Sequence, residues 1–143
     1  VWDPVLNKGA IWTYWEGAYR DTGRDEGATV VLQTESRNGW FWYIPLRDDI
    51  VSVGIVGERD YLYRDGREPA DIFAREIGEN VWIAEHLAGA EQFGEYWVTG
   101  EYSYRSEFCA ADGVILAGDA FCRGTVLGAC HSGLAAAQEL AAP

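Results

Sequence analysis

The chain has 143 residues, 48% of them hydrophobic and 14% aromatic, with 7 Trp, which is enough apolar material for one globular domain with its own core and excludes a disordered chain. Its formal net charge of -12, from 11 basic against 23 acidic side chains, excludes a nucleic-acid partner, because phosphate binding needs a basic face. No run of about 18 apolar residues occurs, so no membrane span is predicted.

The opening "VWDPVLNKGA" has no basic region followed by an apolar run, so no signal peptide is read there. Cys109, Cys122 and Cys130 are odd in number and lack a CxxC spacing. They are read as free thiols, which suits a cytoplasmic protein better than a disulfide framework or a zinc site. The chain contains no Met and starts at Val1, so it is expected to be part of a longer product.

In chain order, Gly9 to Asp21 is rich in aromatics and Thr and predicts a strand, followed by a polar loop from Asp21 to Gly27. Ala28 to Thr34 predicts a second strand, and Asn38-Gly39 supplies a hairpin turn signal. Gly39 to Leu46 is the third strand and, after a turn at Arg47-Asp48-Asp49, Ile50 to Gly57 the fourth. Strands joined by short turns make an antiparallel meander. Period two places Trp40, Trp42, Ile44 and Leu46 on one face of the third strand and Phe41, Tyr43 and Pro45 on the other. On the fourth strand Val51, Val53 and Ile55 oppose Ser52, Gly54 and Val56. Both faces of the third strand are largely apolar, so both need cover.

From Pro69 the period becomes helical, with Ile72, Phe73, Ile77, Val81, Ala84 and Leu87 near one helical spacing, and Gly78 and Asn80 split the run into two short helices. Gly94 to Phe108 again reads as sheet. Val114 to Ala117 predicts a short buried strand, and the Ala-rich tail from Gly124 a helix.

Two features could carry chemistry. Gly118-Asp119 ends an apolar strand ahead of a turn, where backbone N–H groups attract polar oxygens and a carboxylate can accept from sugar hydroxyls. The plainer reading is a strand-to-helix turn capped by Asp119. The aromatic strand is either a packed core or the wall of a site. His86 and His131 have no partners at metal-ligand spacing, so no metal site is assigned. No nucleophile elbow or Walker loop occurs, and no catalytic residue is assigned.

Together the two features resemble a known family. Gly39-Trp40-Phe41-Trp42-Tyr43-Ile44-Pro45 is similar to the GWxWxIP motif of flavin-dependent halogenases, and the following Val51-Ser52-Val53-Gly54-Ile55-Val56 is also familiar from them. Tyr104 to Phe121 resembles the strand and Gly-Asp motif with which FAD-dependent monooxygenases and halogenases hold the ribityl chain of FAD. The resemblance extends to about Phe121. Beyond it, Cys122-Arg123-Gly124-Thr125 stands where the family has an Asp-Pro and a helix start beside the flavin ring.

On this resemblance the cofactor is FAD, and Gly118, Asp119 and Ala120 contact it. Trp40, Trp42, Ile44 and Pro45 form a substrate-side wall. The intact enzyme would take reduced FAD from a partner flavin reductase and use O2 to oxidise halide for attack on a small organic substrate. The GxGxxG fingerprint and the catalytic lysine of the family do not occur here, and Lys8 sits in the wrong context to replace the lysine. They are expected in an N-terminal dinucleotide-binding half that the chain lacks.

The expected fold is α+β: an antiparallel meander with short helices packed on it over residues 1–103, then a strand–turn–helix segment of a FAD-binding domain over 104–143. The expected function is a fragment of a halogenase-like oxidoreductase that does not bind FAD tightly alone. A FAD-dependent monooxygenase, a geranylgeranyl-reductase-like flavoprotein and a non-catalytic α+β binding module stay open as alternatives.

Overall fold

The computed structural model describes residues 7–100, 104–108, 110–117, 120, 122–123 and 134. They fall into two compact units, one within Lys8–Gly100 and one drawn from Val1–Asn7 and Glu101–Pro143.

The first unit is α+β. Its antiparallel sheet comprises β1 (Lys8–Glu16), β2 (Val30–Gln33), β3 (Gly39–Pro45), β4 (Ile50–Glu58) and β5 (Glu91–Thr99), in the spatial order β2-β3-β4-β1-β5. The consecutive strands β2, β3 and β4 form the expected meander, and β1 lies against the far side of β4 over the full register Lys8↔Glu58 to Glu16↔Ile50. A 3-10 turn, Gly23–Asp25, sits in the polar loop.

Three helices pack on one face: α1 (Arg59–Leu62), α2 (Pro69–Glu79) and α3 (Val81–His86). Pro69 stands in the first turn of α2, where a missing N–H costs nothing. Asn80 divides α2 from α3: its side chain accepts from the Ile83 N–H at 3.1 Å, capping α3, and donates to the Gln33 carbonyl at 3.2 Å, tying that helix to β2. The core lies between helices and sheet, with Ile11, Phe41, Val53, Ile55, Leu62, Ile72, Phe73 and Ile83 buried. Phe41 meets Phe73 edge to face with centroids 6.2 Å apart, and Tyr43 meets Trp82 likewise at 5.3 Å. The alternation read from β3 and β4 holds: Phe41 and Tyr43 face the helices with Val51, Val53 and Ile55, while Trp40, Trp42 and Ile44 face away.

Several expectations are corrected. Val81 is 66% exposed, because the break at Asn80 restarts the helical phase and turns Ile83 inward instead. The β2–β3 turn takes its left-handed conformation at Arg37 (φ 59°) and not at Asn38-Gly39, while Gly39 opens β3 as expected. The predicted strand Val114 to Ala117 is only Val114–Ile115 (β8), and it is exposed, not buried. It pairs with β7 (Ala110–Ala111) across the Asp112-Gly113 turn, in which Gly113 has φ 77°. In this second unit β6 (Tyr104–Arg105) pairs with β9 (Cys122–Arg123). The Ala-rich tail, apart from Leu134, lies outside the described residues.

Candidate functional site: the aromatic face of the sheet

The face of the sheet turned away from the helices is built in rows across the strands. One row runs Gln33, Trp40, Val56, Ala10 and Thr99, and the next Val31, Trp42, Gly54, Trp12 and Trp97. A third places Ile44, Ser52, Tyr14 and Phe93 in line. The large side chains thus come from β1, β3 and β5, and β4 contributes the small ones. None of these residues carries a charge. Trp40 is 40% exposed, Trp97 52% and Phe93 54%, so the apolar surface is presented outward.

Within it the indoles are ordered. Trp42 lies 6.1 Å from Trp40 and 6.2 Å from Trp12, both tilted. The Trp42 Nε1–H donates to Ser52 Oγ at 3.2 Å. A Cβ placed on Gly54 would lie within 2.1–2.5 Å of three atoms of the Trp42 ring, so only glycine lets that ring approach.

The aromatic strand joins two clefts. At its start, a cleft of about 220 Å³ is lined by Arg37, Asn38, Gly39, Trp40 and the cross-strand ion pair Lys8–Glu58. At its end, a cleft of about 660 Å³ lies among Arg20, Asp21, Thr22, Pro45 and Arg47. Arg20 closes the β3–β4 turn by donating to the Leu46 and Ile50 carbonyls, each at 2.6 Å, with Asp49 at 3.4 Å. On the opposite face, the Tyr43 hydroxyl donates to the Tyr19 carbonyl at 2.6 Å, and burial pushes its pKa up to about 12.

Of the residues singled out from sequence, Trp40, Trp42 and Ile44 stand together on this face, and Pro45 ends the strand at the larger cleft. Gly118 and Asp119 lie outside the described residues; Ala120 is described and exposed. Trp12, Tyr14, Phe93 and Trp97 were not foreseen as part of the face. Alternation within β1 pointed to Trp12 and Tyr14, but β5 is interrupted by an irregularity opposite Thr13 that breaks its period. The buried Thr13 hydroxyl donates to the Glu95 carbonyl at 3.0 Å and accepts from Gln92 at 2.9 Å, holding the irregularity in place.

An uncharged indole-lined face can stack against a planar ring. It offers nothing for a diphosphate, whose binding groups would have to come from elsewhere. Among the described residues, no group of three or more His, Cys, Asp or Glu could hold a metal, and no helix is long and apolar enough to cross a membrane.

No protein-family model matches the chain. It is 32% identical over 114 residues to a 1H-pyrrole-2-carbonyl-[peptidyl-carrier protein] brominase of Pseudoalteromonas luteoviolacea, a match covering 78% of this chain and 27% of the relative. It is 31% identical over 163 residues to a flavin-dependent halogenase of Armillaria mellea, covering 96% of this chain and 32% of the relative. The solved myxobacterial chondrochloren halogenase, described as FAD-dependent, superposes with a TM-score of 0.75 at 28% identity, over 98% of this chain and 33% of that one. The homologues of this chain are therefore flavin-dependent halogenases, and it corresponds to a fragment of them, 27% and 32% of the length of the two relatives named.

Proposed function

We propose that the chain is the substrate-side segment of a FAD-dependent halogenase-like oxidoreductase that acts on a small organic substrate, with its reduced flavin supplied by a reductase in the cytoplasm. The observation that carries this reading is a complete GWxWxIP strand whose two motif tryptophans stand on the sheet face turned away from α1, α2 and α3. FAD, when bound, supplies the reaction of reduced flavin with O2 that oxidises halide. The chain's own contribution is placement. Trp40, Trp42 and Ile44 form a dry, uncharged wall that excludes water and offers indole faces to a planar ring. Residues 104–143 belong, on this reading, to the FAD-binding segment, with Gly118, Asp119 and Ala120 along the ribityl chain.

Flavin fluorescence tests the assignment. Titration of FAD with the 143-residue chain is expected to leave the emission unchanged. The gene product extended through its own reading frame to the length of the relatives is expected to quench it stoichiometrically. Tight binding by the chain alone overturns the fragment reading, and no binding by the extended product overturns the flavoenzyme reading.

A further inference from the structure

We propose that Ser52 and Gly54 are positioning residues for Trp42, a seat that lays its indole flat on the sheet and fixes which ring face meets a ligand. The proposal rests on the reading of this face as the wall of a site, but its geometry stands independently.

The two residues lie on β4 two positions apart, so they share the face that Trp42 occupies, and Gly54 is its cross-strand partner. A Cβ on Gly54 would lie 2.1 Å from Trp42 Cζ2, 2.4 Å from Cε2 and 2.5 Å from Cη2. Those three atoms are contiguous, with Cζ2 in the middle. Near-equal distances mean that the added carbon would point into the face of the ring; approached at its rim, the two outer atoms would lie much farther away. The indole therefore rests on the bare Cα of Gly54. Its rim is fixed separately, by the Nε1–H bond to Ser52 Oγ at 3.2 Å. One contact sets the plane of the ring and the other its rotation in that plane. Trp12, tilted by 46° across the sheet, and Trp40, tilted by 53° along the strand, flank it on two sides.

Neither residue suits a central strand for its own sake. Glycine weakens strands, and a buried serine hydroxyl needs a partner. Both choices are accounted for by the ring they carry. The inner face of Trp42 is spent on Gly54, which leaves its outer face, parallel to the sheet, for a ligand. Trp42 is thus a flat floor for a planar substrate, with the tilted rings of Trp12 and Trp40 as its sides.

The test reads Trp42 directly in the 143-residue chain, without flavin. Its indole N–H resonance is assigned as the one lost in Trp42→Phe. Ser52→Ala is expected to move that resonance upfield and to speed its exchange with solvent, and Ser52→Thr to restore both. Gly54→Ala is expected to lower the thermal midpoint in the native background but not in Trp42→Ala, where no ring meets the new methyl. An unmoved resonance in Ser52→Ala, or equal losses from Gly54→Ala in the two backgrounds, overturns the proposal. Because no cofactor enters these readouts, such a failure would leave the flavoenzyme reading standing, and a failure to bind FAD would leave the seat intact.

Discussion

Gly39 opens the aromatic strand, and its replacement by Ala is the most closely determined perturbation in the sheet. A Cβ there would lie 2.4 Å from the Val56 carbonyl oxygen, 3.1 Å from Gly57 Cα and 3.3 Å from the Val56 carbonyl carbon. All three are backbone atoms of β4, so no side chain can swing aside, and the strands must part where Gly39 pairs with Gly57. Overpacking of this kind costs about 1–3 kcal/mol, and a weakened ladder bond adds about 1. The reduced freedom of the unfolded chain returns roughly 0.5–1 kcal/mol. The net loss is about 1–3.5 kcal/mol, or on the order of 3–12 °C in Tm for a chain of this size.

Gly9→Ala is the internal control. It lies in the same row of the sheet, Gly9↔Gly57↔Gly39, but the nearest atoms to its added Cβ are at 3.7 Å, ordinary contact distance. It should fall within about 0.5 kcal/mol of the native chain. Urea unfolding followed by circular dichroism compares the two. A Gly39→Ala variant as stable as Gly9→Ala would refute the reasoning.

Three further outcomes follow from the packing. Glu76, 1% exposed, accepts from Tyr61 at 2.6 Å, Arg64 at 2.8 Å and Arg75 at 2.9 Å, so Glu76→Ala removes the buried carboxylate that two guanidinium groups share and leaves them only the more exposed carboxylates of Asp65 and Glu79. The expected loss is roughly 3 kcal/mol by urea unfolding, towards the low end of broken buried pairs because both arginines keep some solvent; a change below about 0.5 kcal/mol would contradict it. Tyr43 ionises near 10 when unfolded and near 12 when folded. The stability held by this raised pKa is whole below pH 10 and drains away between 10 and 12, by up to roughly 2–3 kcal/mol. Tyr61 and Tyr96, also raised chiefly by burial, add a loss of the same sign. Tyr43→Phe should start about 1 kcal/mol lower, without the bond to Tyr19, and show a shallower alkaline decline when urea midpoints at about pH 9 and about pH 11 are compared; an unchanged slope would count against it. Arg20→Ala removes both donors to the β3–β4 turn and should cost about 1.5–3 kcal/mol, with faster amide exchange confined to residues 46–50; uniform exchange rates would argue that the clamp is idle.

How far the sequence foretold this structure depends on the distance over which each contact acts. The two faces of β3 and β4 were legible because period two is a local property, and the split of α2 from α3 because Asn80 both breaks and caps. The placement of β1 between β4 and β5 was not, since Lys8↔Glu58 and Ala10↔Thr99 join residues far apart in the chain. That pairing brings Trp12, Tyr14, Phe93 and Trp97 beside the motif and turns a single apolar strand into a broad aromatic face. Val81 misled because its spacing was counted through the break at Asn80. Val114 misled because a short apolar run does not distinguish a core strand from an exposed two-residue ladder. The glycine and serine of Val51 to Val56 had no visible purpose until the Trp42 ring lay across them. The Gly118-Asp119 turn stays a proposal resting on resemblance.

Product chemistry tests the central claim most directly. The gene product extended to the relatives' length is incubated with FAD, a flavin reductase and bromide or chloride, together with a panel of phenols, pyrroles and indoles, and the products are read by mass spectrometry. The account predicts halide-dependent products carrying the halogen isotope pattern, lost on disruption of the wall by Trp42→Ala. Hydroxylated products in place of halogenated ones, or flavin turnover with no halogen incorporated across the panel, would contradict it.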